Sequence, residues 1–241
     1  MKGSKGLSTR MPADDVLRNA RAKHFQRRKR GTVAREAQLP ANVQKALEAV
    51  ARFYDGRQVG DVGAMGFRRS TELANLLPCL DRLLSEGMLV PGKTRFLDMG
   101  CADGRVNVFL SYLVRQSAGI ELDDWILDDA APLRNDLECA LAREGLPLPP
   151  GNVHLFVGDS TDERLHKSVQ KETGTPFEAF DLYYTYLTMQ EEFAELIARK
   201  AGKGAIFAVY GLERIQPRFS GLCLRTPGRA LNGVLALYEK T

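Results

Sequence analysis

The chain has 241 residues, 44% hydrophobic and 27% charged, which suffices for one α/β domain to bury a sizeable core without a metal or partner. Its formal charge of +4 is uneven: residues 1–40 hold eleven Lys and Arg against Asp14, Asp15 and Glu36, a net +8, so residues 41–241 carry −4. No apolar run is long enough to span a membrane. Cys79, Cys101, Cys139 and Cys223 lack the spacing of a zinc site or disulfide framework, which predicts no metal and a reduced, intracellular and cytoplasmic protein.

In chain order, the first predicted unit is the basic arm, residues 1–40. Within its stretch 18–35, HFQRRKRG from His24 to Gly31 is suited to RNA phosphates, an anionic surface or an acidic protein face; a solvated tail accounts for it as well. An organellar presequence is the alternative for location, since the first acid comes only at Asp14, although the apolar face of a targeting helix is poor. Residues 41–90 read as a helical N-terminal extension. Val43, Leu47, Val50 and Phe53 recur at helical spacing from Ala41 to Phe53, with Asn42 as the expected cap. The glycine-rich YDGRQVGDVGAMGF from Tyr54 to Phe67 predicts an irregular loop, in which Gly63 to Arg69 is either a lid or a plain linker. Thr71 to Ser85 predicts an amphipathic helix kinked at Pro78, with Ser70 opening a weak capping box.

Residues 91–241 alternate strands and helices, the pattern of a doubly wound sheet. Arg95 to Met99 is a short apolar strand carrying Asp98. Gly100, Ala102 and Gly104 keep the following turn small, and Val106, Phe109, Leu110 and Leu113 then recur at helical spacing. Glycines four apart do not make the GxGxxG fingerprint of a dinucleotide site. The turn's acids Asp98 and Asp103 would repel a pyrophosphate and suit a ligand with a positive centre beside an amino acid moiety, as in S-adenosylmethionine. Gln116 to Leu122 is a second buried strand, and Glu121 near its end is placed to accept both hydroxyls of a ribose. His154 to Ser160 is a third, ending in Gly158, Asp159 and Ser160, where a side chain can meet an adenine amino group; Asp159 is alternatively the N-cap of a helix from Thr161.

Asp98-x-Gly100-x-Ala102-x-Gly104, Glu121 and Gly158-Asp159-Ser160 together resemble the first motif, the following acid and the adenine-site motif of the class I, seven-strand S-adenosylmethionine-dependent methyltransferases. The resemblance spans about residues 65–241, and LDMGCADGR followed by IELDDWIL is similar to the branch containing ATP synthase c-subunit lysine methyltransferases. It implies a Rossmann-like, mostly parallel seven-stranded sheet with an antiparallel C-terminal hairpin. It also implies S-adenosyl-L-methionine as cofactor, bound by Asp98, Gly100, Cys101, Ala102, Gly104, Glu121, Leu122, Asp159 and Ser160, and that the helix from Thr71 to Ser85 precedes the first strand, with the loop before that helix lying over the cofactor's methionine end. Cys101 either touches the ligand or is merely small enough for the turn, and Trp125 either packs near the adenosine or anchors its helix in the core. Ala102 stands where the family carries glycine, which is tolerable at negative φ.

The remaining elements run on from there. Trp125 to Glu144 predicts a crossover helix ended by Gly145, and Thr161 to Lys171 the next. Ala179 to Leu187 is the fourth strand, Glu191 to Lys200 its helix, and Gly204 to Tyr210 the fifth strand. FSGLCLRTP and NGVLALYEK alternate as an antiparallel pair, leaving the last crossover helix shortened or missing. FDLYYTYLT lacks the Asn-Pro-Pro-Tyr of amino-methylating nucleic-acid enzymes. Strand alternation sends Tyr184 and Tyr186 to one face and Tyr183 and Thr185 to the other. Tyr186 and Thr188 are the expected lining of an acceptor channel, with Thr185 near the methyl donor; tyrosines filling the core are the alternative. The expected reaction is methylation of a protein side chain, a lysine amine first. RNA methylation and a catalytically inactive cofactor-binding scaffold are the alternatives.

Overall fold

The computed structural model describes residues 39–57, 59–63, 66–68, 70–213 and 215–241. The basic arm's first 38 residues, with the stretch 18–35, lie outside them. Helix α1 (Ala41–Asp55) is followed by the strands β1 (Val59–Gly63) and β2 (Gly66–Arg68), then by α2 (Leu73–Leu76) and α3 (Leu80–Ser85) with a 3₁₀ turn at Leu77–Cys79 between them. Strands and helices then alternate: β3 (Arg95–Met99), α4 (Arg105–Ser111), β4 (Gln116–Glu121), α5 (Asp124–Asp128), α6 (Ala130–Arg143), β5 (Val153–Val157), α7 (Glu163–Thr173), β6 (Leu182–Tyr186), α8 (Gln190–Lys200), β7 (Ile206–Tyr210), β8 (Leu222–Leu224) and β9 (Leu235–Lys240).

The large sheet has the order β5-β4-β3-β6-β7-β9-β8, parallel from β5 to β7 and antiparallel at β7–β9 and β9–β8. This is a doubly wound, Rossmann-like α/β fold with an antiparallel C-terminal hairpin. The period-2 alternation of strand side chains divides the core into two layers. Phe96, Leu182, Tyr184, Ile206, Leu235 and Leu237 pack on one face against α1 to α4 and α6. Leu97, Met99, Ala118, Ile120, Tyr183, Phe207 and Tyr238 pack on the other against α7 and α8. The chain leaves β3 toward β4 and β5, then returns to its other side for β6. Strand order therefore reverses beside β3, where a crevice opens at the strands' carboxyl ends.

Several expected boundaries shift. The glycine-rich segment after α1 is an antiparallel pair, β1–β2, with Val62 opposite Phe67, so its glycines serve a hairpin instead of an irregular loop. Of the expected lid, Ala64, Met65 and Arg69 lie outside the described residues. Asn42 does not cap α1: the N-cap is Pro40, and Asn42 bonds its neighbour Val43. Ser70 does not cap the next helix either. Glu72 holds that position, and the free amides of Leu73 and Ala74 are accepted at 2.8 Å by the carboxylate of Asp55 at the end of α1, a long-range cap that no local pattern announces. Pro78 falls in the 3₁₀ turn, as the expected kink requires. The helix expected from Trp125 breaks at Asp129 into α5 and α6, and the fourth strand begins only at Leu182, after a 3₁₀ turn at Phe177–Ala179. Among the described residues between β7 and β8 there is no helix. No helix among them is long and apolar enough to cross a membrane.

Candidate functional site

The carboxyl ends of β3, β4, β5 and β6 enclose a cavity of about 410 Å³, within the range of small-molecule sites. Its lining joins Met99, Gly100 and Ala102 from the turn after β3, Glu121, Leu122 and Asp123 from the end of β4, and Gly158, Asp159 and Ser160 from the end of β5. Thr185 and Tyr186 come from the end of β6, Thr188 and Met189 from the β6–α8 connection, Phe193 from the first turn of α8, and Ser70 from the segment before α2. Nine of the twelve expected site residues therefore meet in one place: Gly100, Ala102, Glu121, Leu122, Asp159, Ser160, Thr185, Tyr186 and Thr188.

The other three do not line it. Asp98 is 1% exposed and stands on β3 directly before the lining residues Met99 and Gly100, with Oδ1 buried and lacking a hydrogen-bond partner among the described residues. Burial first, then the carboxylates of Glu121 and Asp103, push its pKa well above the usual carboxylate range. Cys101 is 3% exposed and turned toward the sheet, its sulfur 2.8 Å from where a Cβ on Gly119 would lie; smallness is its contribution. Gly104 is the N-cap of α4, facing Leu155.

Two further expectations fail on geometry. Asp103 does not present its charge to a ligand: it is 5% exposed and locked to Arg105, whose Nε and Nη2 each donate to it at 3.0 Å. Ala102 stands at φ +49, in the left-handed region and not at negative φ. That strain costs about 1–2 kcal/mol. The bond from its N–H to Glu121 Oε2, at 2.8 Å, helps to offset it. Glu121 Oε1 accepts in turn from the N–H of Asp123 at 3.2 Å, so backbone amides on both sides fix the carboxylate where the cavity needs it.

Asp159 accepts from both the N–H and the hydroxyl of Thr161 at 2.7 Å, while the N-cap of α7 is Asp162. Its carboxylate thus closes a turn at the rim and caps no helix. Ser160 is fixed from behind, its carbonyl accepting at 2.8 Å from Nε2 of the buried His166. Trp125 is 46% exposed and Leu122 66% exposed, so Trp125 does not anchor α5 in the core.

Across the cavity, Tyr183 and Tyr184 are core residues, whereas Tyr186 is half-buried with its ring 5.4 Å from that of Tyr210. Thr185 donates its hydroxyl proton to the carbonyls of Met99 (3.0 Å) and Thr188 (3.2 Å), tying the end of β6 to the start of the turn after β3. Leu187 (φ +40) and Met189 (φ +50) flank Thr188 in the left-handed region, and the Thr188 N–H reaches back to the Tyr186 carbonyl. Of the four described non-glycine residues at positive φ, Ala102 and Met189 line this cavity and Leu187 lies between its lining residues Tyr186 and Thr188; strain of this kind is held where surrounding structure over-determines it.

Sequence reasoning missed Ser70, Met99, Asp123, Met189 and Phe193 as lining residues. Asp123 carried a signal, an acid two residues past Glu121. Met189 and Phe193 reach the cavity only through the strained connection, which residue types do not reveal. No group of three or more His, Cys, Asp or Glu among the described residues is arranged to hold a metal.

No family model and no curated protein sequence matches the chain. Among solved structures it is similar to an RNA methyltransferase from Salinibacter ruber in complex with S-adenosyl-L-homocysteine, at 15% identity over 68% of this chain and 90% of that one, with a TM-score of 0.44. It is also similar to a mutant of MtNAS in complex with S-adenosylmethionine (14% identity, 83% and 72% covered, TM-score 0.47). A third is a tRNA methyltransferase from Aquifex aeolicus (13% identity, 77% and 81% covered, TM-score 0.43). Likenesses this distant carry no argument about activity, which rests on the chain's own residues.

Proposed function

We propose that the chain is an S-adenosyl-L-methionine-dependent methyltransferase acting on a protein side chain, a lysine amine. The observation that carries this reading is the convergence of three strand ends on one cavity: the open backbone at Gly100, the Glu121 carboxylate and the Asp159–Ser160 turn all line it.

The residues fit a sulfonium nucleoside. Gly100, at φ +92, leaves open space where a side chain would stand, so the backbone forms a cradle for the amino-acid end of the cofactor above Asp98. Glu121, preset by its two amides, holds the ribose, and Leu122, Asp159 and Ser160 meet the base. Bound there, S-adenosylmethionine supplies an activated methyl on a positively charged sulfur. The protein's part is alignment, worth about 7–11 kcal/mol in well-oriented systems. Thr185, Tyr186 and Thr188 serve that end, because Thr185 fixes Thr188 against the turn that cradles the cofactor.

A lysine acceptor must lose its proton, which costs roughly 4–5 kcal/mol at pH 7 from a pKa near 10.4. Met99, Met189, Tyr186 and buried Phe193 supply an apolar wall that disfavours its charge. RNA is the second reading, favoured by the +8 of residues 1–40 and disfavoured by the missing Asn-Pro-Pro-Tyr.

The deciding experiment is transfer of labelled methyl from S-adenosylmethionine to cell lysate, digested in parallel with protease and ribonuclease. Protease-sensitive label recovered as methyl-lysine is expected. Ribonuclease-sensitive label would establish the RNA reading instead, and no label from a protein that binds the cofactor would leave a scaffold.

A further inference from the structure

Arg105 begins α4, the wrong end of a helix for a cation, since the N-terminal amides already carry partial positive charge. It is nevertheless buried, at 3% side-chain exposure, beside Asp103 at 5%. Its fork explains why it stays. Nε and Nη2 take the two oxygens of Asp103, Nη1 reaches the backbone carbonyl of Thr71 at 3.4 Å, and the guanidinium lies over the ring of Tyr54 with its carbon 5.6 Å from the centroid. One side chain thus joins the cofactor turn, the end of α1 and the segment that brings Ser70 to the cavity.

That segment is strapped from several directions. The hydroxyl of Thr71 is 2.6 Å from that of the buried Tyr184 on β6, the carbonyl of Glu72 accepts from the Tyr210 hydroxyl on β7 at 3.3 Å, and Asp55 holds the amides of Leu73 and Ala74. Among the described residues, the Arg105 side chain is the hydrogen-bond link from this segment to the turn that carries Gly100 and Ala102.

We infer that Arg105 is a positioning residue that makes the Ser70 wall of the cavity follow the conformation of the cofactor turn, so that filling the cofactor site orders residues 70–76. The inference rests on reading the cavity as a cofactor site. Asp103, whose charge Arg105 absorbs, is part of the same device: it fixes the fork that Thr71 meets. By linkage, the segment's ordering and cofactor affinity must reinforce each other equally.

Amide hydrogen exchange of the full chain, with and without S-adenosylhomocysteine, tests it. In the wild type the nucleoside should slow exchange across 70–76 at least fivefold. Arg105→Lys keeps the charge but loses the fork. It should raise basal exchange across 70–76 at least fivefold, leave β3 and β4 unchanged, bind S-adenosylhomocysteine within tenfold of wild type, and lose the nucleoside's protection. Thr71→Val keeps the carbonyl that Arg105 holds and should keep that protection. If Arg105→Lys does not fold, the pair Asp103→Asn with Arg105→Gln removes both charges together and should show the same loss. Basal exchange across 70–76 unchanged by these variants, or protection retained in them, would overturn the inference. Failure of the wild type to bind S-adenosylhomocysteine would instead defeat the cofactor reading, with the basal comparison still deciding whether Arg105 holds the segment.

Discussion

Asp98 is a buried acid on β3, directly before the cavity-lining Met99 and Gly100, with one oxygen unpartnered among the described residues. Its raised pKa means that the folded protein binds this proton more tightly than the unfolded chain does. Stability from this group is therefore greatest at low pH and falls as pH rises from the ordinary carboxylate range through the raised value. A cation arriving above it favours the ionised form and expels the proton. S-adenosylmethionine should accordingly bind with proton release, seen as a calorimetric enthalpy that varies with buffer ionisation, and should bind more tightly as pH rises. Asp98→Asn should remove that component of the pH dependence and weaken binding at least tenfold. A variant with the wild type's proton release and affinity would show that Asp98 does not sense the ligand. At the same scale, the sequence named Asp103 as a second ligand-facing acid because residue type shows charge but not pairing. Only the fold reveals that Arg105, two residues on, turns back to neutralise it.

At the scale of elements, the β6–α8 connection carries the most local constraint. Leu187 at φ +40 lays its side chain over Gly211, where a Cβ would meet Leu187 Cδ1 at 2.8 Å, and Gly211 itself stands at φ +94. Gly211→Ala should cost about 2–4 kcal/mol from overpacking and left-handed strain together, read in a denaturant titration. It should also displace Thr188 and so lower methyl transfer more than cofactor affinity. Wild-type stability in this variant would mean that the connection is not held by that contact. Elements with strong periodicity were legible in advance: β3, β4, α8 and the β8–β9 pair all follow from apolar spacing. What escaped was decided by distant partners. Asp55 caps a helix eighteen residues away, the glycines after α1 pair as a hairpin, and the positive φ of Ala102 is stabilised by a bond to Glu121 on another strand. The candidate site was legible where it repeats at strand ends. It was invisible where Met189 and Phe193 arrive through a strained turn.

At the scale of the whole molecule, the reversal of strand order beside β3 puts the ends of β3, β4, β5 and β6 around one crevice. The same chain carries +8 in residues 1–40 and −4 in the rest. The reading of function takes the domain as the selector of cofactor and acceptor. Its most direct test is calorimetric titration of the full chain and of Glu121→Ala with S-adenosylmethionine, with NAD as the comparison. Hydrogen bonds to a charged acceptor are worth about 1.5–3 kcal/mol each, so losing the ribose carboxylate should weaken binding at least tenfold. Saturable one-to-one binding of S-adenosylmethionine, weakened that far by Glu121→Ala and not matched by NAD, is the predicted result. Binding of NAD alone, or S-adenosylmethionine affinity indifferent to Glu121, would contradict it.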